Sequence, residues 1–111
     1  MKMIGVYSRT ATKDEEAIKL QKEKCLMLIE KGRKVIFFTD NGVSGLENDR
    51  DGIAAMFEVA RHNALERVIA VEPSRFSRDT NELSRIESDL RKYGVIIQYA
   101  DTSTSDTVLL H

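Results

Sequence analysis

The stretch RVIAVEPSRFSRDTNELSRIESDLRKYGVIIQYA, residues 67–100, decides the fold. Arg67 to Glu72 is a short run centred on apolar, mostly β-branched residues, and it predicts a buried strand. Pro73 stiffens the exit into a loop that carries Arg75 and Arg78. From Asp79 to Tyr93, Leu83, Ile86 and Leu90 fall on one stripe, the pattern of a helix with one buried face. Asp79 and Glu82 have capping-box-like spacing at its start, and Gly94 closes it. Val95 to Ala100 is again strand-like. Strand, helix and strand in succession form the repeating unit of a parallel sheet.

The same alternation extends towards the amino end. Lys2 to Ser8 predicts a first strand, and Lys13 to Gly32 a helix ended by its glycine. Lys34 to Asp40 is β-branched and aromatic and predicts the second strand. Asn41 to Asn48 carries two glycines without periodicity, so a loop is expected. Asp49 to His62 is helical, with Ile53, Met56, Phe57 and Ala60 at i, i+3, i+4 and i+7. The order β-α-β-α-β-α-β predicts an α/β fold in three layers. A mainly parallel sheet of about four strands is expected, with right-handed crossovers placing helices on both faces. The tail from Asp101 to His111 is polar and then apolar at Val108-Leu109-Leu110, which reads as the start of another element.

The 111 residues fit one domain, and 41% apolar with 32% charged residues describes a globular chain rather than a disordered one. No apolar run approaches the roughly 20 residues of a membrane span, so no membrane association is expected. The start reads directly into a strand, without the pattern of a signal peptide. A single cysteine, Cys25, excludes an internal disulfide and fits a cytoplasmic protein. A net charge of −1 gives no general attraction to nucleic acid, so any such binding must come from local clustering.

Clustering is what the strand ends show. Tyr7-Ser8-Arg9-Thr10-Ala11 ends the first strand, Val43-Ser44-Gly45 with Asp49-Arg50 follows the second, and Ser74-Arg75-Phe76-Ser77-Arg78-Asp79 follows the third. In open α/β sheets, ligands bind in the crevice at the carboxyl ends of the strands. Arg9, Arg50, Arg75 and Arg78 brought together there would suit a phosphate, whose oxygens pair two-to-two with guanidinium forks. Each arginine alone is equally well read as a solvated surface residue. Gln21 shares a stripe with Ile18, Cys25 and Leu28, so its amide either reaches water at the stripe's edge or orders a group in the crevice. Ser44 sits in a glycine-containing loop that lets backbone approach a ligand. Arg50 at a helix start opposes the helix dipole, a placement that hints at function. The only histidines, His62 and His111, lack metal-ligand spacing, and the glycines match neither a dinucleotide fingerprint nor a Walker loop. No cofactor and no metal are therefore expected.

Taken as an ordered set, these motifs resemble the catalytic domain of the serine recombinases, the resolvase/invertase family. The resemblance runs from Ile4 to about Thr104. It rests on the Tyr-x-Arg motif at Tyr7 and Arg9, Gln21 in the first helix, Val43-Ser44-Gly45 with Asp49-Arg50, and the run Pro73 to Arg78. It implies site-specific DNA strand cleavage and rejoining by transesterification through a phosphoserine link, without metal or nucleotide. It implies that Arg9, Arg50, Arg75 and Arg78 hold the DNA phosphate while Gln21 and Ser44 orient the site. Double-stranded DNA would be the partner, with dimers and tetramers formed by the full-length protein. It also implies that residues 1–111 stop before the family's long oligomerisation helix and DNA-binding domain. Two positions depart from the family pattern. Ala11 stands where the family has its nucleophilic serine, and Ser74 where it usually has an aspartate. With Ala11 the chain is expected to be inactive, whether by an engineered change or by natural loss. A non-catalytic module that dimerises with or regulates an active relative is the alternative.

Overall fold

A computed structural model describes residues 2–43 and 50–101. The described elements are strands β1 (Met3–Thr10), β2 (Val35–Asn41), β3 (Leu65–Ala70) and β4 (Ile96–Tyr99), with helices α1 (Glu15–Leu26), α2 (Asp51–Arg61) and α3 (Thr80–Lys92). The strands pair in the order β2-β1-β3-β4, and every pairing is parallel.

The burial pattern follows from that order. β1 lies between two neighbours and under helices on both faces, so Ile4 through Thr10 are all buried and no polar alternation is visible. Its side chains still alternate between faces. Ile4 and Val6 pack with Cys25 of α1, Ile69 and Val71. Tyr7 points the other way, into a larger cluster with Phe38, Val68 and Ala70 of the sheet, Met56 and Ala60 of α2, and Ile86 and Leu90 of α3. The three expected layers are therefore present: α1 covers one face, α2 and α3 the other.

The widest departures from the sequence reading are at the end of α1 and at β3, while β1 runs on to Thr10 rather than ending at Ser8. α1 ends at Leu26, capped by Met27, rather than running to Gly32. Met27 is 84% exposed and Leu28 37% exposed, so the apolar stripe finds no core to pay for further helix, and the chain turns before Gly32, which takes φ +86°. Leu28 therefore lies beyond the helix and off the stripe that holds Ile18, Gln21 and Cys25. β3 begins two residues earlier than expected, at Leu65, where it pairs with Met3 across a register shift. The amino ends of the strands are tied by ion pairs of Arg33 with Glu66 and of Arg67 with Glu30.

Candidate anion-binding active site

In the order β2-β1-β3-β4 the chain leaves β1 to one side and β3 lies on the other, so the topological switch point falls between β1 and β3. Arg9, near the end of β1, reaches across it. Its Nε donates to the Arg75 carbonyl at 2.8 Å and its Nη2 to the Ser74 carbonyl at 2.6 Å. Its Nη1 donates to the Val43 carbonyl at 3.3 Å. Arg75 reciprocates, Nη1 donating to the Arg9 carbonyl at 3.2 Å. One buried guanidinium thus fastens the loops that follow β2 and β3 to the end of β1.

Gln21 reaches the same point from α1. Its Nε2 donates to the Arg9 carbonyl at 3.0 Å and its Oε1 accepts the Arg9 backbone N–H at 3.2 Å. The amide that interrupts the apolar stripe is therefore buried and satisfied, aimed at the crevice rather than at water.

Arg50 is 4% exposed. Its Nη2 donates to the Tyr7 hydroxyl at 2.6 Å, and that hydroxyl donates to Asp40 Oδ2 at 2.7 Å. Asp40, from β2, also accepts the backbone N–H groups of Gly52 at 2.7 Å and Ile53 at 3.1 Å. Arg50 is the N-cap residue of α2 but makes no side-chain capping bond; the carboxylate of Asp40 takes that role from a neighbouring strand. This answers the dipole argument, because the anion the helix start requires is supplied tertiarily. Burial, with the bond to Asp40 adding to it, pushes the Tyr7 phenol well above its ordinary pKa, so it stays protonated and donates.

Arg75 and Arg78 bracket a tight segment. Pro73–Arg75 form one 3₁₀ turn, and buried Phe76 stacks on Tyr7 with ring centroids 5.3 Å apart. Ser77 Oγ donates to Glu82 and accepts from the Asp79 backbone N–H, while Asp79 caps α3 through the N–H groups of Asn81 and Glu82. Arg75 pairs with Glu72 at 3.3 Å, and its Nε is buried without a hydrogen-bond partner. Among the described residues Arg78 forms no hydrogen bond or ion pair, and it is exposed. The Arg9 guanidinium is held below its ordinary pKa, first by burial and then by the charge of Arg50, with Arg75 and Arg78 adding to it. Arg9 is thus the residue on which the charges of the other three arginines act.

Ala11 follows β1 directly and is exposed at the crevice end of the sheet. The nearby hydroxyls differ sharply. Ser8 is fully buried with Oγ unpartnered, and Thr10 Oγ1 is 2.7 Å from Asn41 Oδ1, to which it donates. Thr12 is exposed. Ser44 lies outside the described residues, as do Gly45 and Asp49. Ser74 contributes its carbonyl to Arg9. The sequence reading missed Asp40 and Asn41, which serve the site through strand ends. The signal was a polar run closing an otherwise apolar strand, Thr39-Asp40-Asn41 after Val35-Ile36-Phe37-Phe38. Among the described residues no cluster of His, Cys, Asp and Glu could hold a metal ion, and no helix is long and apolar enough to cross a membrane.

A parallel sheet with Arg9 and Arg75 joined across its switch point defines an α/β domain of the resolvase-like class. The chain belongs to the family described as "Resolvase, N terminal domain", the catalytic domain of serine recombinases, which it matches over residues 4–109. Solved structures share the fold. The C-terminal catalytic domain of ISC1926 TnpA, an IS607-like serine recombinase, superposes with TM-score 0.78 at 24% identity, over 96% of this chain and 75% of that one. The N-terminal catalytic domain of TP901-1 integrase gives 0.79 at 20% identity, over 98% and 88%. A resolvase family site-specific recombinase from Streptococcus pneumoniae gives 0.72 at 16% identity, over 99% and 81%. No curated protein sequence matches the chain.

Proposed function

We propose that this domain binds a DNA phosphodiester in the crevice between β1 and β3 and, when a hydroxyl stands at position 11, exchanges DNA strands by transesterification. The observation that carries the reading is the cationic crevice itself. Arg9 locks its walls together, the half-buried Arg75 guanidinium lies against the end of β1, and exposed Arg78 forms no hydrogen bond or ion pair with the described residues. A phosphate supplies the oxygens such donors need and neutralises the crowding of like charge. In the reaction, a hydroxyl oxygen at position 11 attacks phosphorus, the new P–O bond links protein to the 5′ phosphate, and the 3′ oxygen leaves with a proton. Religation reverses each bond change. Arg75 and Arg78 contact the phosphate, Arg50 braces the site through Tyr7, and Gln21 orders the Arg9 backbone; Ser44 is assigned to the same site on the motif alone. With Ala11 the domain holds the phosphate without cleaving it. Ser8 and Thr10 do not replace the missing hydroxyl, since the first is buried and the second is bonded to Asn41.

Ala11 also favours a second reading, a non-catalytic module that pairs with an active relative. One experiment separates them. The chain carrying Ala11→Ser is incubated with a randomised duplex DNA library, and covalent protein–nucleotide adducts are sought by mass spectrometry. An adduct on the introduced hydroxyl, lost on adding Arg78→Ala, is the expected result. The absence of any adduct, with the fold intact by circular dichroism, supports the non-catalytic reading instead. DNA recognition by dimers or tetramers, and a DNA-binding segment beyond these residues, belong to the same proposal.

A further inference from the structure

We infer that Asn41 is a positioning residue for residues 11–13, the loop that carries the nucleophile position; the inference rests on the function proposed above. Asn41 ends β2 opposite Thr10 of β1. Its Oδ1 accepts the Thr10 hydroxyl at 2.7 Å on the near side of the loop and the Asp14 backbone N–H at 2.9 Å on the far side. Its Nδ2 donates to Glu15 Oε2 at 3.0 Å, in the first turn of α1. One amide therefore grips both ends of residues 11–13 and couples them to the helix that follows. The next residues press on the same loop. Gly42 N–H donates to the Thr10 carbonyl at 3.0 Å and to the Thr10 hydroxyl at 3.1 Å, and Val43 N–H donates to the Thr10 carbonyl at 2.8 Å. Gly42 has φ +82°, and a Cβ there would stand 2.8 Å from Lys13 Cγ and 3.2 Å from Lys13 N. No other side chain among the described residues bonds to both sides of the loop. An attacking atom displaced by a fraction of an ångström loses much of its rate, so the residue that sets the loop's place sets the rate without touching DNA.

The test reads the loop by amide exchange and trypsin cleavage, and the reaction by the kinetics of adduct formation. In the chain with Ala11, Asn41→Ala is expected to speed amide hydrogen exchange at Asp14 and Gly42 at least tenfold and to speed trypsin cleavage after Lys13, which is already exposed, with exchange at Val6 and Val68 unchanged. The reciprocal double variant Asn41→Asp/Glu15→Gln restores donor, acceptor and net charge, and should restore protection. In the Ala11→Ser chain, Asn41→Ala should slow adduct formation at saturating DNA at least tenfold while the half-saturating DNA concentration stays within twofold, and the double variant should recover the rate. Unchanged exchange at Asp14 overturns the inference, as does a loss of DNA affinity equal to the loss of rate. If Ala11→Ser alone forms no adduct, the proposed function fails, while the exchange and trypsin results still decide whether Asn41 places the loop.

Discussion

At the scale of single residues, buried polar groups carry the testable content. Tyr7 hydroxyl accepts from Arg50 and donates to Asp40, so Tyr7→Phe removes two bonds and leaves a buried guanidinium donor unpaired. A buried donor without a partner costs about 1–3 kcal/mol. We expect urea unfolding to show a loss in that range, although phenylalanine keeps the stacking on Phe76. Cys25 gives a second prediction, with its sign fixed by linkage. Burial among apolar neighbours pushes its thiol from 9.0 up to about 11. As pH rises past 9 the unfolded chain gives up the thiol proton first, so stability present below pH 9 drains away until pH 11. Between pH 8 and 10 this amounts to about 1 kcal/mol at 1.36 kcal/mol per pK unit. The parent should therefore lose about 1 kcal/mol more than Cys25→Ala over that interval, whatever cavity the variant adds at both pH values; equal losses would contradict it. These two residues also show what a sequence discloses. Cys25 reads as core from its stripe, whereas the partners of Tyr7 lie at |i−j| = 33 and 43, where no local pattern reports them.

At the scale of elements, the start of α2 shows why the place of a helix was legible and the logic of its cap was not. The apolar periodicity of Ile53, Met56, Phe57 and Ala60 locates the helix, but its anion comes from β2 as Asp40. The sequence shows an arginine at the N-cap, and only the packing of the carboxyl end of β2 against the start of α2 explains why it is tolerated. The same contact makes a prediction against propensity. Alanine exceeds glycine as a helix former by about 1 kcal/mol, so Gly52→Ala would stabilise an isolated α2. In the domain, a Cβ at Gly52 would lie 2.8 Å from both the carbonyl carbon and oxygen of Thr39 and 2.9 Å from Asp40 Oδ2. Backbone cannot yield as a flexible side chain does, and overpacking of this kind costs about 1–3 kcal/mol. Gly52→Ala should therefore lower the thermal midpoint and loosen the Asp40 cap. A raised midpoint would show that α2 can shift away from β2. The early end of α1 teaches the converse: its apolar residues continue to Met27 and Leu28, yet exposed side chains do not extend the helix.

At the scale of the whole molecule, the alternation of strand and helix was enough to give the layers, because parallel strands demand crossovers and crossovers have one hand. The placement of charge was only half legible. Arginines at strand ends could be seen in the sequence, but whether they met in a crevice or faced solvent depended on which strands became neighbours. The order β2-β1-β3-β4 puts the ends of β1 and β3 side by side, which brings Arg9 against Arg75. A chain of net charge −1 with cations gathered at one end should bind duplex DNA weakly and locally. Each phosphate neutralised releases counterions, so the logarithm of affinity falls with the logarithm of salt by about 0.9 per contact. Arg78→Ala should therefore flatten that slope by about 0.9, with affinity reduced on every sequence alike. Arg33 lies at the opposite, amino end of the strands and is ion-paired with Glu66 and Glu30. Arg33→Ala removes the same formal charge from the molecule and should leave the slope unchanged. Fluorescence anisotropy across a salt series measures both. If the two variants shift the slope equally, binding follows net charge rather than the crevice, and the site is not where DNA is held.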